Sequence, residues 1–171
     1  MMETTKMRPE TLLLALGALL VAACSRAPES GPVAVHWDRD VCARCRMVIS
    51  DRHYAAEIRY FPPGKASRVA LFDDIGCAVR WLEKQPWRND PKTEIWVADH
   101  RTGKWLDARK AHYVRVPNTP MEYGLGAQAE SAPGSLDFAQ AKAHIAEVEK
   151  RFASGAPELE RIQPPAAGER R

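Results

Sequence analysis

The stretch RVALFDDIGCAVRWLEK, residues 68–84, changes its hydrophobic period in mid-course. RVALF is a short apolar run of strand length. From there Ile75, Ala78, Val79 and Leu82 recur at helical spacing, with Cys77 and Trp81 flanking the stripe. Asp73 or Asp74 can cap the N-terminus of that helix. A strand that runs straight into a short amphipathic helix needs a partner for each apolar face. This commits the chain to mixed layers of sheet and helix.

Neighbouring segments fit the same architecture. In YAAEIRYF, Tyr54, Ala56, Ile58 and Tyr60 share one face and Glu57 and Arg59 the other, the pattern of a half-buried strand. PPGKAS is a loop, and QPWRNDPK breaks the chain. TEIWVAD, HRTGK and KWLDA read as strand, turn, strand, and AHYVRV is a further strand ended by PNTP. Met121 opens another β segment. A last helix begins near Ser135, with Leu136, Ala139, Ile145, Val148 and Phe152 as its stripe. The two halves echo each other faintly: in each, a methionine (Met47, Met121) precedes a strand, and an acidic residue beside a phenylalanine precedes a helix. The expected class is α+β. Two small pseudo-repeated lobes and a single mixed sheet are both open on this pattern.

The N-terminus points to export. Lys6 and Arg8 precede TLLLALGALLVAA, which is shorter than the roughly 20 residues that span a bilayer. A signal of small residues ending on Cys24 resembles a bacterial lipobox. That resemblance implies cleavage before Cys24 and lipid on it, on the periplasmic side of a membrane; Ser25, rather than Asp, favours the outer membrane. An ordinary signal peptide with a free Cys24 is the plain alternative. The expected organisation is a signal over 1–23, a Pro/Ser/Gly-rich flexible tether over 24–37, one domain over 38–154 and a disordered tail over 155–171. The formal net charge is +3, and no basic run interleaves with aromatics, which argues against a nucleic-acid partner.

The chemistry concentrates in CARCRM, residues 42–47. A c-type haem needs C-x-x-C-H, and Arg46 stands where the histidine would be. A thioredoxin-like dithiol sits at a helix N-terminus, and nothing after Cys45 signals a helix. Structural zinc wants four Cys/His ligands, and no second C-x-x-C exists; Cys77 reads as a small buried hydrophobe. A Cys42–Cys45 disulfide is the bland structural reading. Thiolate together with thioether selects Cu(I). In an extended strand Cys45 and Met47 would point the same way, presenting two soft sulfurs. A third ligand must come from elsewhere, and Met121, after PNTP, is the candidate. Core packing is its plain alternative. Cys42 and His53 rank behind as further metal or redox partners. His100, in another polar turn, is weaker still, and the Asp73–Asp74 pair reads as helix caps.

CARCRMVISDRHYAAEI, LFDDIGCAVRWLEK, WVADHRTGKWLDARKAHYV and TPMEYGLGAQAE, in this order, resemble the NosL family of nitrous oxide reductase accessory lipoproteins. The resemblance covers most of residues 38–152. It implies two ββαβ-type lobes in one compact domain, and a Cu(I)-binding protein without catalysis. Its implied partners are apo nitrous oxide reductase and an ABC-type membrane complex. The implied copper ligands are Cys45, Met47 and Met121. Arg46 stands where the family motif usually has glycine, and Gln128 where the family often has an aromatic. The competing function is a thiol–disulfide oxidoreductase acting on copper-site cysteines. Organometal cleavage is a third option. It wants several convergent thiolates with an acid, which the sequence does not clearly bring together.

Overall fold

The structure is a computed structural model that describes residues 30–162. Cys24, the expected signal segment and residues 163–171 lie outside the described residues. From Gly31 onward the chain forms one compact unit. Four antiparallel strands, β1 (Ala56–Tyr60), β2 (Arg68–Phe72), β3 (Glu94–Ala98) and β4 (Trp105–Asp107), make a sheet in the order β2-β1-β3-β4. A second sheet pairs β5 (His112–Arg115) with β6 (Leu125–Gln128). The helices are α1 (Ile75–Glu83) and α2 (Phe138–Ile162). The class is α+β. Its first elements run ββαβ, and β5-β6-α2 runs ββα, with no strand after it among the described residues.

The period switch at residues 72–75 becomes a sharp junction. Phe72 ends β2 opposite Ala56 of β1. Asp74, in extended backbone, then caps α1 by accepting from the Gly76 amide at 2.7 Å. Ile75, Ala78 and Val79 of α1 are buried in one core with Phe72, Ile58 and Ile95, and α1 contacts β1 and β2. Each such branched or aromatic side chain contributes roughly 1.5–3 kcal/mol on full burial. The two sheets meet where the His100 amide donates to the Ala127 carbonyl at 2.8 Å, beside an Asp99–Ala127 bridge.

Strand β1 departs from its expected half-burial. Glu57 and Arg59, assigned by alternation to a solvent face, are both buried. The cover is the segment from Gly31 to Trp37, part of the expected tether. The Val33 amide donates to Glu57 Oε2 at 2.9 Å, and Arg59 Nε and Nη2 donate to the Gly31 carbonyl at 3.0 and 2.9 Å. Arg59 Nη1 reaches Ser67 Oγ at 2.8 Å, and the Gly31 amide donates to Glu94 Oε2 at 2.7 Å. Val35 and Trp37 pack against the core. Buried charges need partners, and here the backbone of residues 31–33 supplies most of them, leaving Glu57 Oε1 without one. Burial still pushes the Glu57 carboxyl up to about 7, against the Val33 amide and the Arg59 charge.

Helix α2 opens with a reciprocal cap. Asp137 Oδ1 accepts from the Gln140 amide, and Gln140 Oε1 from the Asp137 amide, at 2.8 and 2.9 Å. It runs on to Ile162, past Phe152 and into the expected disordered tail. The missing apolar period ends a core-facing stripe, not the helix: propagation adds a backbone hydrogen bond per residue and needs no buried face.

Candidate metal centre

Two segments distant in sequence build the centre. The first is the CARCRM stretch, which is a turn and not the expected extended strand. A Val41–Val48 bridge closes it, and the Cys42 amide donates to the Met47 carbonyl at 2.8 Å. The Arg46 amide returns to the Cys42 carbonyl at 3.1 Å, and Arg46 takes a left-handed backbone, φ +68°. The Ala43 amide donates to the Leu71 carbonyl at 2.8 Å, which fastens the turn to the end of β2. The second segment is the junction just beyond, Asp73 to Cys77. Cys45 and Met47 are therefore not strand neighbours on one face; the left-handed residue between them redirects the chain.

The result is a cluster. Ligand atoms of Cys42, Cys45, Asp73 and Cys77 all lie within 4.8 Å of one another. Such a group could hold a metal ion. All three cysteines are free. Cys42 and Cys77 are fully buried, Asp73 nearly so, and Cys45 half-buried, so the cluster has a deep end and a mouth. The Cys45 thiol donates to Asp73 Oδ2 at 3.0 Å, and Asp73 Oδ1 is buried without a hydrogen-bond partner.

The three thiols are not equivalent. The Cys42 thiol is lowered, first by a hydrogen bond from the Cys77 thiol; burial opposes this, and the backbone amides of Asp73, Cys45 and Arg44 assist it. Cys77 is raised well above the usual thiol range, first because its proton is given to Cys42 and then by burial. Cys45 is raised by burial and by its hydrogen bond to Asp73, with the Met47 amide opposing. Hydrogen bonding and burial thus push Cys42 down and Cys77 and Cys45 up.

A polar bracket supports the deep end. Arg44, inside the turn, donates through Nη1 to the Tyr123 hydroxyl at 2.8 Å and through Nη2 to Glu149 Oε1 of α2 at 2.7 Å. Nη1 also stands 3.7 Å from Cys77 Sγ. The Tyr123 hydroxyl bonds Glu149 too, and Arg80 lies 3.6 Å from the same carboxylate. Tyr123 lies directly on α1: a Cβ at Gly76 would come within 2.2 Å of its ring. Only glycine lets the ring approach so closely.

The expected ligands divide. Cys45 is in the cluster. Met47, on the outgoing limb of the turn, is 51 % exposed. Met121 is half-buried against the core. Its amide and the Thr119 side chain favour the charged form of Asp74, whose carboxyl burial pushes up to about 6. Met121 thus lies at the same end of α1 as the cluster. His53 does not join the group: its Nδ1 pairs with the His100 carbonyl at 3.0 Å on the surface. The His100 ring faces Gln128, at 3.4 Å. Cys77 and Asp73 are the additions. Cys77 is the buried small residue that its stripe suggests, and it faces other sulfurs. Of the acidic pair only Asp74 caps. The available signal was spacing: Asp73 and Cys77, four positions apart, straddle the start of a helix, where side chains can share one side. The fold also brings together the convergent thiols and the acid that the sequence does not clearly offer.

No family model matches this chain, and no curated protein matches it.

Proposed function

We propose that this chain is a periplasmic Cu(I) carrier, lipid-anchored through Cys24. In this reading it hands copper to apo nitrous oxide reductase, working with an ABC-type membrane complex and without catalysis. One observation carries the proposal: three soft sulfurs and one carboxylate converge at the start of α1. Thiolates with thioethers at hand suit Cu(I). Cys45, Met47 and Met121 are the ligands proposed for exchange at the mouth, where Cys45 is half-buried and Met47 exposed. The shared opening order of β1-β2-α1 and β5-β6-α2 supports the two pseudo-repeated lobes of this reading. A thiol–disulfide oxidoreductase fits less well, because a nucleophilic thiolate must be reached by substrate. Here the accessible Cys45 is raised, and the lowered Cys42 is fully buried.

Competition of the reduced protein against a chromophoric Cu(I) chelator tests the proposal. Wild type should withdraw one Cu(I) per chain, and Cys45→Ser should lose most of that capacity. A wild-type protein that takes no Cu(I) from the chelator refutes it.

Organometal cleavage is a second reading, favoured by the convergence of Cys42, Cys45 and Cys77 with Asp73. In that reaction the metal–carbon bond breaks, sulfur takes the metal and the carbon takes a proton from a thiol or the carboxyl group. Hydrocarbon release from an alkylmercury salt would support it; none would exclude it.

A further inference from the structure

Cys77 and Arg44 lie outside the copper ligands expected from the sequence, yet the structure builds the deep end of the cluster around them. Cys77 Sγ is one of the converging donors, on the first turn of α1 and with no solvent exposure. Arg44 comes from the turn between Cys42 and Cys45. Tyr123 and Glu149 hold its guanidinium from two other elements, so that Nη1 stays 3.7 Å from Cys77 Sγ. At the mouth the Cys45 thiol donates to Asp73 Oδ2 at 3.0 Å. The deepest sulfur therefore has a fixed cation placed beside it. Packing alone does not require that, since a buried cysteine behaves as a small hydrophobe.

We propose that Cys42, Cys45 and Cys77 form a three-thiolate resting centre for Cu(I), with Arg44 as its built-in counter-cation. This rests on the Cu(I) reading above and deepens it. On binding, each thiol that ligates gives its proton to solvent, and copper keeps its oxidation state. Cu(I) with three thiolates carries two net negative charges. Left alone in a buried site, such an anion is costly; a guanidinium fixed beside one sulfur offsets part of that cost. Arg44 does not touch the metal. It is a positioning and charge-balancing residue, and Glu149 holds it in place. Cys45 belongs both to this centre and to the exchange set with Met47 and Met121, so copper can pass from depth to mouth without leaving it.

X-ray absorption at the copper edge, read together with chelator competition, tests the proposal on the reduced, Cu(I)-loaded protein. Wild type should show three sulfur neighbours in one short shell. Cys77→Ser should lose one of them and weaken Cu(I) binding by at least about tenfold. Arg44→Gln should keep all three sulfurs and weaken binding about tenfold, as expected for one partly screened charge. Arg44→Lys should restore part of the loss, which a purely structural role for the guanidinium fork would not. If Cys77→Ser fails to fold, the wild-type sulfur count decides, and two short sulfurs overturn the centre. A folded Cys77→Ser with unchanged sulfur count and affinity also overturns it, while leaving the Cu(I) reading intact. No Cu(I) uptake by wild type overturns both.

Discussion

Replacing Arg46 by glycine should make the metal-free protein more stable. Arg46 is exposed and sits at φ +68° between Cys45 and Met47. A side chain with a Cβ pays roughly 1–2 kcal/mol for that left-handed backbone. Glycine removes the strain but gives back roughly 0.4–1 kcal/mol through a more flexible unfolded chain. The net gain is about 0.5–1 kcal/mol, or a rise in Tm of about 2–5 °C for a domain of this size. Thermal unfolding of the reduced apo protein, followed by circular dichroism, reads it directly. Arg46→Ala is the control, because it removes the same charge and keeps the Cβ. If Arg46→Gly is no more stable than Arg46→Ala, the left-handed strain assigned to this turn is wrong.

Three further outcomes are expected. Gly76→Ala should destabilise the fold by about 1–3 kcal/mol, because a Cβ there collides with the Tyr123 ring; an unchanged denaturant midpoint would contradict that packing. Glu57 holds its proton more tightly folded, at about 7, than at its ordinary 4.5, so stability should fall by about 3 kcal/mol as pH rises through that window. Glu57→Gln should flatten the decline between pH 5 and 8, and an equally steep decline in the variant would refute the assignment. Met121→Leu should slow copper transfer to an acceptor chelator while changing equilibrium Cu(I) affinity less than about threefold. A large loss of affinity would move Met121 into the resting centre.

Much of the architecture was legible in the sequence, because hydrophobic period reports which face an element buries. RVALF is β2 from end to end, and the stripe of Ile75, Ala78 and Val79 is the buried face of α1. What stayed hidden depends on partners remote in sequence. Glu57 and Arg59 look solvent-facing until Gly31 and Val33 cover them. The CARCRM turn is set by the Ala43–Leu71 hydrogen bond and by a left-handed arginine, a residue type that does not announce a turn. The candidate centre was half legible for the same reason. Local spacing marks Cys42 and Cys45, but only the fold brings Cys77 and Asp73 to them and leaves His53 on the surface.

The central claim is that the thiol cluster holds copper(I) in preference to the commoner ion that three cysteines and an aspartate also suit, Zn(II). Offering both metals together to the reduced protein, removing unbound metal and counting what remains by mass spectrometry puts that claim to its most direct test. The account predicts one copper per chain and zinc far below stoichiometry. One zinc per chain, retained against excess Cu(I), would contradict it.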